Sequence, residues 1–228
     1  MKIVDGVREA VVAVEALDLK VTRALAHQRH RPEVKAAGKA SEVADQPPLI
    51  ALSAAVLVAG LAARQPAVAR TGLRMLAAHA LATGIKTAIK RSIDRTRPDH
   101  AIENGYRAEA GGSARHELSS FPSGHTAGAV AVAEAIAREV PAAATPVRLL
   151  ALAVALVQLP RCKHFVSDVV VGAAIGWVGE RGASAVMDRG VAAITHKRSS
   201  SIRHPSEGWG LSRSKPEPCG TRSQTSLE

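Results

Sequence analysis

The sequence predicts an all-α fold: a membrane-embedded helical bundle of about five core helices, preceded by an N-terminal amphipathic helix. Three observations lead there. Hydrophobic residues make up 46% of the 228 residues but aromatic ones only 2%, so the apolar content is mostly Ala, Val and Leu. Small aliphatic side chains suit close helix-on-helix packing, as in membrane bundles. Apolar stretches recur along the chain, and none shows sustained period-two alternation with β-branched enrichment, so no strand is expected. The mean hydropathy of +0.04 averages those stretches with polar ends and is compatible with a membrane protein.

Residues 1–30 read as the amphipathic helix. Val4, Val7, Val11, Val14, Leu17, Val21 and Leu25 alternate with Arg8, Glu9, Glu15, Asp18, Lys20 and Arg23. Those charges forbid a bilayer span. A basic start followed by a clean apolar run and a cleavage site is missing, so no signal peptide is expected. Residues 28–47 read as a charged polar linker that runs into Asp45-Gln46-Pro47-Pro48.

Five apolar stretches follow, at 49–63, 73–89, 126–137, 147–159 and 166–178. Each is roughly 12–17 residues, shorter than the ~20 of a lipid-exposed span, so five core helices of a soluble bundle is the competing reading. The second contains Arg74, His79 and Lys86, the third Glu134, and the fifth Asp168 near its start. Gly124 and Gly128 are four residues apart, as are Gly172 and Gly176, a spacing that permits close helix contact. Between the second and third stretches lies a long polar segment, Lys90 to Pro122, of the kind that is usually functional. The chain thus divides into helix and linker (1–47), bundle (48–196) and a Ser/Arg/Pro/Gly-rich tail (197–228) that is expected to be disordered.

The formal net charge is +10 and the pI about 10.3. Anionic lipid and phosphorylated substrates fit that charge. Nucleic acid does not: the basic residues are dispersed and aromatic stacking platforms are nearly absent. The 2 cysteines, Cys162 and Cys219, are far apart with no His/Cys cluster, which excludes a disulfide framework and a zinc finger.

Three islands carry candidate chemistry. In the first, Lys90 and Arg97-Pro98 are seven residues apart, about two helical turns, so both cations can share a face and clamp a phosphate. A solvated basic helix end is the plainer alternative. In the second, Pro122-Ser123-Gly124-His125 opens the third apolar stretch. Free N–H groups at a helix start bind anions, Gly124 admits a ligand to the backbone, Ser123 adds a hydroxyl, and His125 falls in the first turn. An ordinary N-cap with an incidental His is the alternative. In the third, His164 and Asp168 are spaced i, i+4, so a carboxylate can orient the ring and leave its other nitrogen free. The alternative is a local hydrogen bond without catalytic consequence.

In order and spacing the three islands resemble the type-2 phosphatidic acid phosphatase superfamily, which shares its site with vanadium haloperoxidases and bacterial acid phosphatases. Lys90 to Arg97-Pro98 matches its first motif, Pro122-Ser123-Gly124-His125 its second, and His164 with Asp168 the end of its third. The resemblance covers about residues 45–180. One position departs: the family's Ser-Arg falls at Val157 and Gln158, and Arg161 is the nearest cation.

The resemblance implies hydrolysis of a membrane lipid phosphate, monoester or diphosphate, through a phosphohistidine and without a metal or other cofactor. His164 is then the nucleophile, Asp168 its orienting partner and His125 the acid and base. Lys90, Arg97, Ser123 and Gly124 hold the phosphoryl oxygens, and Arg161 is expected to replace the missing motif arginine. A carboxylate cluster that would hold a metal beside these histidines is not apparent in the sequence. The Pro160 break lets Arg161 turn toward the site. The resemblance further implies a multi-pass protein of a bacterial inner membrane, and the Arg64, Arg70, Arg74, Arg138 and Arg148 side reads as cytoplasmic, with the site facing outward. A headgroup-binding protein of the same fold with weak or no turnover is the alternative, motivated by Gln158. A vanadate-dependent peroxidase fits poorly, because such chains are long and aromatic-rich.

Overall fold

The computed structural model describes residues 2–113 and 115–202. Two compact units divide the chain, the first ending at Asp188 and the second beginning at Arg189. The described part of the second is the end of one helix, α8 (Val166–Ile202). Residues 197–202, expected to belong to a disordered tail, are therefore helical, and residues 203–228 lie outside the described residues.

The expected N-terminal helix is α1 (Lys2–Leu25). The expected linker instead contains α2 (Pro32–Ser41). Its charge-rich sequence hides a sound helix: Pro32 and Glu33 in the first turn and Lys39 in the last agree with the helix dipole. Asp45 ends the connection and caps α3 (Gln46–Ala62) by accepting from the Gln46 N–H at 2.9 Å. A tight turn with Arg64 at φ 54° leads into α4 (Pro66–Lys90).

The long polar segment holds β1 (Ile93–Arg95), α5 (Pro98–Asn104) and β2 (Ala108–Ala110). The two strands pair antiparallel with Asp94 opposite Glu109, against the expectation of no strand. Three residues are too few to register as an alternating pattern. The last three apolar stretches form α6 (Gly124–Glu139), α7 (Ala144–Val157) and α8.

The core is built mostly of alanine. α3 packs on α4, α4 on α6 and α6 on α7, around Ala78, Ala82, Ala127, Ala131, Ala135, Met75 and Ile175. α8 also approaches α6 closely. A Cβ on Gly172 would stand 2.6 Å from the Ser123 carbonyl oxygen, and one on Gly176 2.5 Å from that of Ala127. The second glycine pair therefore makes the close helix contact its spacing suggested. In the first pair only Gly128 is tight, against Leu49 and His79, while Gly124 meets Lys86 at ordinary contact distance.

Large aliphatic side chains stay exposed on α3, α7 and α8, including Leu61, Leu150, Leu156 and Val170. Among the described residues no single helix is long and apolar enough to cross a membrane. One pair, Pro32–Ala44 with Gln46–Ala62, bent by 53°, satisfies length and composition together.

Candidate active site

One end of the bundle gathers the three islands around a cavity of about 320 Å³. The end of α4 supplies Lys90, and the loop after it Arg97 and His116. The start of α6 supplies Gly124 and His125. The turn after α7 supplies Gln158, Arg161, Lys163 and His164, and Glu42 and Asp45 close the side toward α3. Lys90 and Arg97 do not share a helix face, as their spacing suggested. α4 stops at Lys90, and Arg97 returns to the cavity through β1.

His164 immediately precedes α8 and is only 4% exposed. Its Nδ1 lies 2.8 Å from the Ser120 carbonyl oxygen and 3.8 Å from Asp168 Oδ2. A carbonyl can only accept, so Nδ1 carries the proton and Nε2 keeps its lone pair. Burial pushes the imidazole down to about 4 against the pull of Asp168, with Arg97 and Lys90 adding to the fall. The ring is therefore neutral near pH 7, as a nucleophile requires. Asp168 is completely buried and acts from behind. Its carboxylate accepts from Arg95 Nη1 at 2.5 Å, Ser120 Oγ at 2.5 Å and the Phe165 N–H at 2.8 Å. It thus steadies the Ser120 segment, whose carbonyl in turn orients His164.

Two cations of the cavity, Lys90 and Arg97, are held by neutral partners, whereas Lys163 pairs with Asp99 at 2.9 Å. Lys90 donates to the Ser119 carbonyl at 2.6 Å. Arg97 donates to the carbonyls of His116 at 2.9 Å and Lys163 at 3.4 Å, and to Ser119 Oγ at 3.2 Å. Carbonyls fix the side chains but leave the charges uncancelled. Burial, then Arg97 and Lys86, push Lys90, at the end of α4 beyond the apolar stretch, down to about 8. Burial also pulls Arg97 below its ordinary value. These are the marks of a site awaiting an anion.

Ser123 and Arg161 behave differently. Ser123 is wholly buried, caps α6 and exchanges a 2.9 Å hydrogen bond with Thr126 Oγ1, so its hydroxyl lies behind the cavity lining. Arg161 lines the cavity but pairs with Glu42 at 2.7 Å and donates to Ser41 Oγ at 3.0 Å. Gln158 is 1% exposed, donates to the Val154 carbonyl and leaves Oε1 without a hydrogen-bond partner. His125 Nε2 faces Glu42 Oε2 at 3.5 Å.

Several residues were not legible in the sequence as members of this site. Lys86 approaches Gly124, and its position one turn before Lys90 was the available signal. His116, Ser120, Arg95, Glu42 and Asp45 carried none, because each arrives from a loop or a distant element. The expectation that no carboxylate cluster accompanies the histidines is corrected: Glu42, Asp45 and His125 present ligand atoms within 4.8 Å of one another. Glu42 is already neutralised by Arg161, and Lys86 and Lys90 line the same cavity, so the surrounding charge favours an anion over a cation.

The bundle is similar to two solved structures. The first, described as the first transmembrane PAP2 type phosphatidylglycerolphosphate phosphatase from Bacillus subtilis, is 19% identical with a TM-score of 0.59, covering 78% of this chain and 87% of that one. The second, LpxE of Aquifex aeolicus, is 22% identical with a TM-score of 0.53, covering 74% and 95%. At such identities the likeness establishes the fold. A comparison with curated protein sequences finds no match. The PAP2 superfamily model matches residues 71–190, more than half of the chain, and the matched span runs from α4 through the cavity residues into α8. With all three islands inside that span and converging on one cavity, the chain belongs to the PAP2 superfamily.

Proposed function

We propose that this protein is a metal-independent phosphatase of a membrane lipid phosphate, acting on a monoester or diphosphate through a phosphohistidine. The observation that carries the reading is a buried neutral histidine, Nδ1 tied to a carbonyl, beside two cations tethered only by neutral groups. In this reading the phosphoryl oxygens bind Lys90, Arg97 and the Gly124 N–H at the start of α6. His164 Nε2 attacks phosphorus as the bond to the leaving oxygen breaks, and His125 protonates that oxygen. His125 then takes a proton from water, which attacks phosphorus, breaks the P–N bond and releases phosphate. Asp168 stabilises the positive charge on the ring throughout, and Ser123 supports the α6 start. Arg161 joins the phosphate by exchanging Glu42 for a phosphoryl oxygen.

The exposed aliphatic faces of α3, α7 and α8 support a lipid substrate and a membrane setting. We place the protein, as a multi-pass member, in a bacterial inner membrane with the cavity facing outward. The test is phosphate release by detergent-solubilised protein from phosphatidic acid, phosphatidylglycerol phosphate, a polyprenyl diphosphate and a sphingoid phosphate. Release from at least one, unaffected by EDTA and inhibited by vanadate, is the expected result. Loss in EDTA with restoration by magnesium would overturn the metal-free mechanism and turn attention to Glu42, Asp45 and His125. Neutral Gln158 at the motif position favours a second reading, headgroup binding without turnover. Vesicle binding with no phosphate release from any substrate would support it.

A further inference from the structure

Behind Asp168 lies a buried ion chain that the chemistry above does not use. Arg95, at the end of β1, spends its guanidinium on four partners. Nη1 donates to Asp168 Oδ1 at 2.5 Å and Ser167 Oγ at 2.7 Å, Nη2 to Asp18 Oδ2 at 2.8 Å, and Nε to the Tyr106 hydroxyl at 3.1 Å. Its Cζ lies 4.4 Å from the Phe165 ring centroid. Asp18 comes from α1, 77 residues away in sequence. It is 1% exposed, and it also accepts from the Ser167 N–H at 3.0 Å and from Ser167 Oγ. Asp18 therefore caps the start of α8, the turn that carries Asp168. Glu15, one turn earlier on α1, holds the Tyr106 hydroxyl at 2.7 Å.

Counting charges gives this arrangement a function. Arg95 alone would neutralise Asp168, leaving little net charge to stabilise a cation on His164. Asp18 neutralises Arg95 from the other side, so the chain Asp18–Arg95–Asp168 carries one net negative charge. In a water-excluded site a unit charge at this range matters greatly. We propose that Asp18 is a positioning residue of the active site: acting through Arg95, the N-terminal helix preserves the charge of Asp168 toward His164. The proposal rests on His164 being the reacting histidine of the reading above. The other charged groups facing His164 are Arg97 and Lys90, and neither touches Asp18.

The experiment compares the wild type with Asp18→Asn, Asp18→Glu and the double variant Asp18→Asn/Arg95→Gln, in detergent micelles containing dioleoyl phosphatidic acid. Asp18→Asn keeps the shape and removes the charge. It is expected to lower kcat about tenfold or more with KM nearly unchanged, because the phosphate cradle is untouched. Asp18→Glu should recover part of the loss. The double variant should be faster than Asp18→Asn, since removing both charges restores that of Asp168. A merely structural role for Asp18 predicts the opposite order, and that order would overturn the proposal. NMR titration of the His164 ring supplies a readout independent of turnover. Its midpoint should fall by about half a unit or more in Asp18→Asn. An unchanged midpoint would overturn the proposal even in an active enzyme. A shifted midpoint in a protein that releases no phosphate would uphold this link and count against the phosphatase reading.

Discussion

The two ends of the bundle use the same residue types in opposite ways. At the cavity end, Lys90 and Arg97 are anchored by carbonyl oxygens and a hydroxyl. At the far end, the buried Arg74 and the more exposed arginines around it each meet a carboxylate. Arg70 and Arg74 share Glu139, both at 2.7 Å, and Arg74 also reaches Asp188 at 2.9 Å. Arg138 meets Glu180 at 2.7 Å, while the more exposed Arg148 holds Glu134 at 2.6 Å. The far end is a clamp joining α4, α6, α7 and α8, complete without a ligand. The cavity end is fixed in place yet electrically unfinished. The partner of a cation, rather than its burial, tells a binding site from a structural one.

The comparison breaks first at His164. His164→Ala should lower phosphate release by about a thousandfold or more, since a nucleophile has no substitute. Acid-quenched phosphoprotein should be detectable in the wild type and absent in the variant. Undiminished labelling would remove His164 from the mechanism.

Arg97 against Arg74 tests the two ends directly. Arg97→Ala should cost about a hundredfold in kcat/KM while thermal stability stays nearly unchanged. Arg74→Ala leaves Glu139 with Arg70 as its arginine partner, removes the buried bonds to Ser184 and Asp188, and should cost about 2–3 kcal/mol of stability. Its kcat/KM should stay close to wild type below the melting point. Denaturant titrations paired with kinetics decide the matter, and a loss of stability in Arg97→Ala equal to that in Arg74→Ala would erase the distinction.

Arg161 sharpens the comparison, because it sits at the cavity end but carries a carboxylate partner. Arg161→Ala should reduce kcat/KM about tenfold and Gln158→Ala only a few-fold, as a charge-assisted bond is roughly twice as strong as a neutral one. The reverse order would assign the phosphate contact to Gln158.

The smallest effect is in pH. His164 should protonate near 4, so kcat/KM keeps its basic form of the nucleophile above that value and declines below it. Stability follows with the same sign. An unfolded histidine takes up its proton near 6.5, before the folded one does, so the stability from this group is full above about 6.5 and is lost as pH falls toward 4. A rise in stability on acidification through this window would contradict the buried neutral ring.

What the sequence disclosed follows from distance along the chain. Gly124-His125 and His164 with Asp168 are local patterns attached to helix starts, and they stand where their spacing suggested. α3, α4, α6, α7 and α8 were legible as apolar stretches. α2 was not, because its residues are charged and its packing is against the α7 side of the cavity. Arg95 sat in plain view between Lys90 and Arg97. Its meaning depends on Asp18 and Asp168, 77 and 73 residues away, which no spacing rule connects. Glu42 was passed over for the same reason: its partner Arg161 is 119 residues distant.

The seam between α6 and α8 has a consequence for how this protein can vary. Where Gly172 faces Ser123 and Gly176 faces Ala127, main chain lies against main chain. An added methyl there cannot be absorbed by a rotamer change, because no flexible side chain stands opposite. The alanine-lined remainder of the core has methyl groups that can be exchanged for slightly larger or smaller ones with local adjustment. A saturation scan should therefore find a forgiving interior crossed by narrow intolerant lines, this one and the α3–α4 seam, where Gly60 meets the Ala69 main chain and Gly72 that of Leu57. The α6–α8 line sets the gap between the turn bearing His125 and the turn bearing Asp168. Evolution can redecorate this bundle widely while holding these two seams as its gauge.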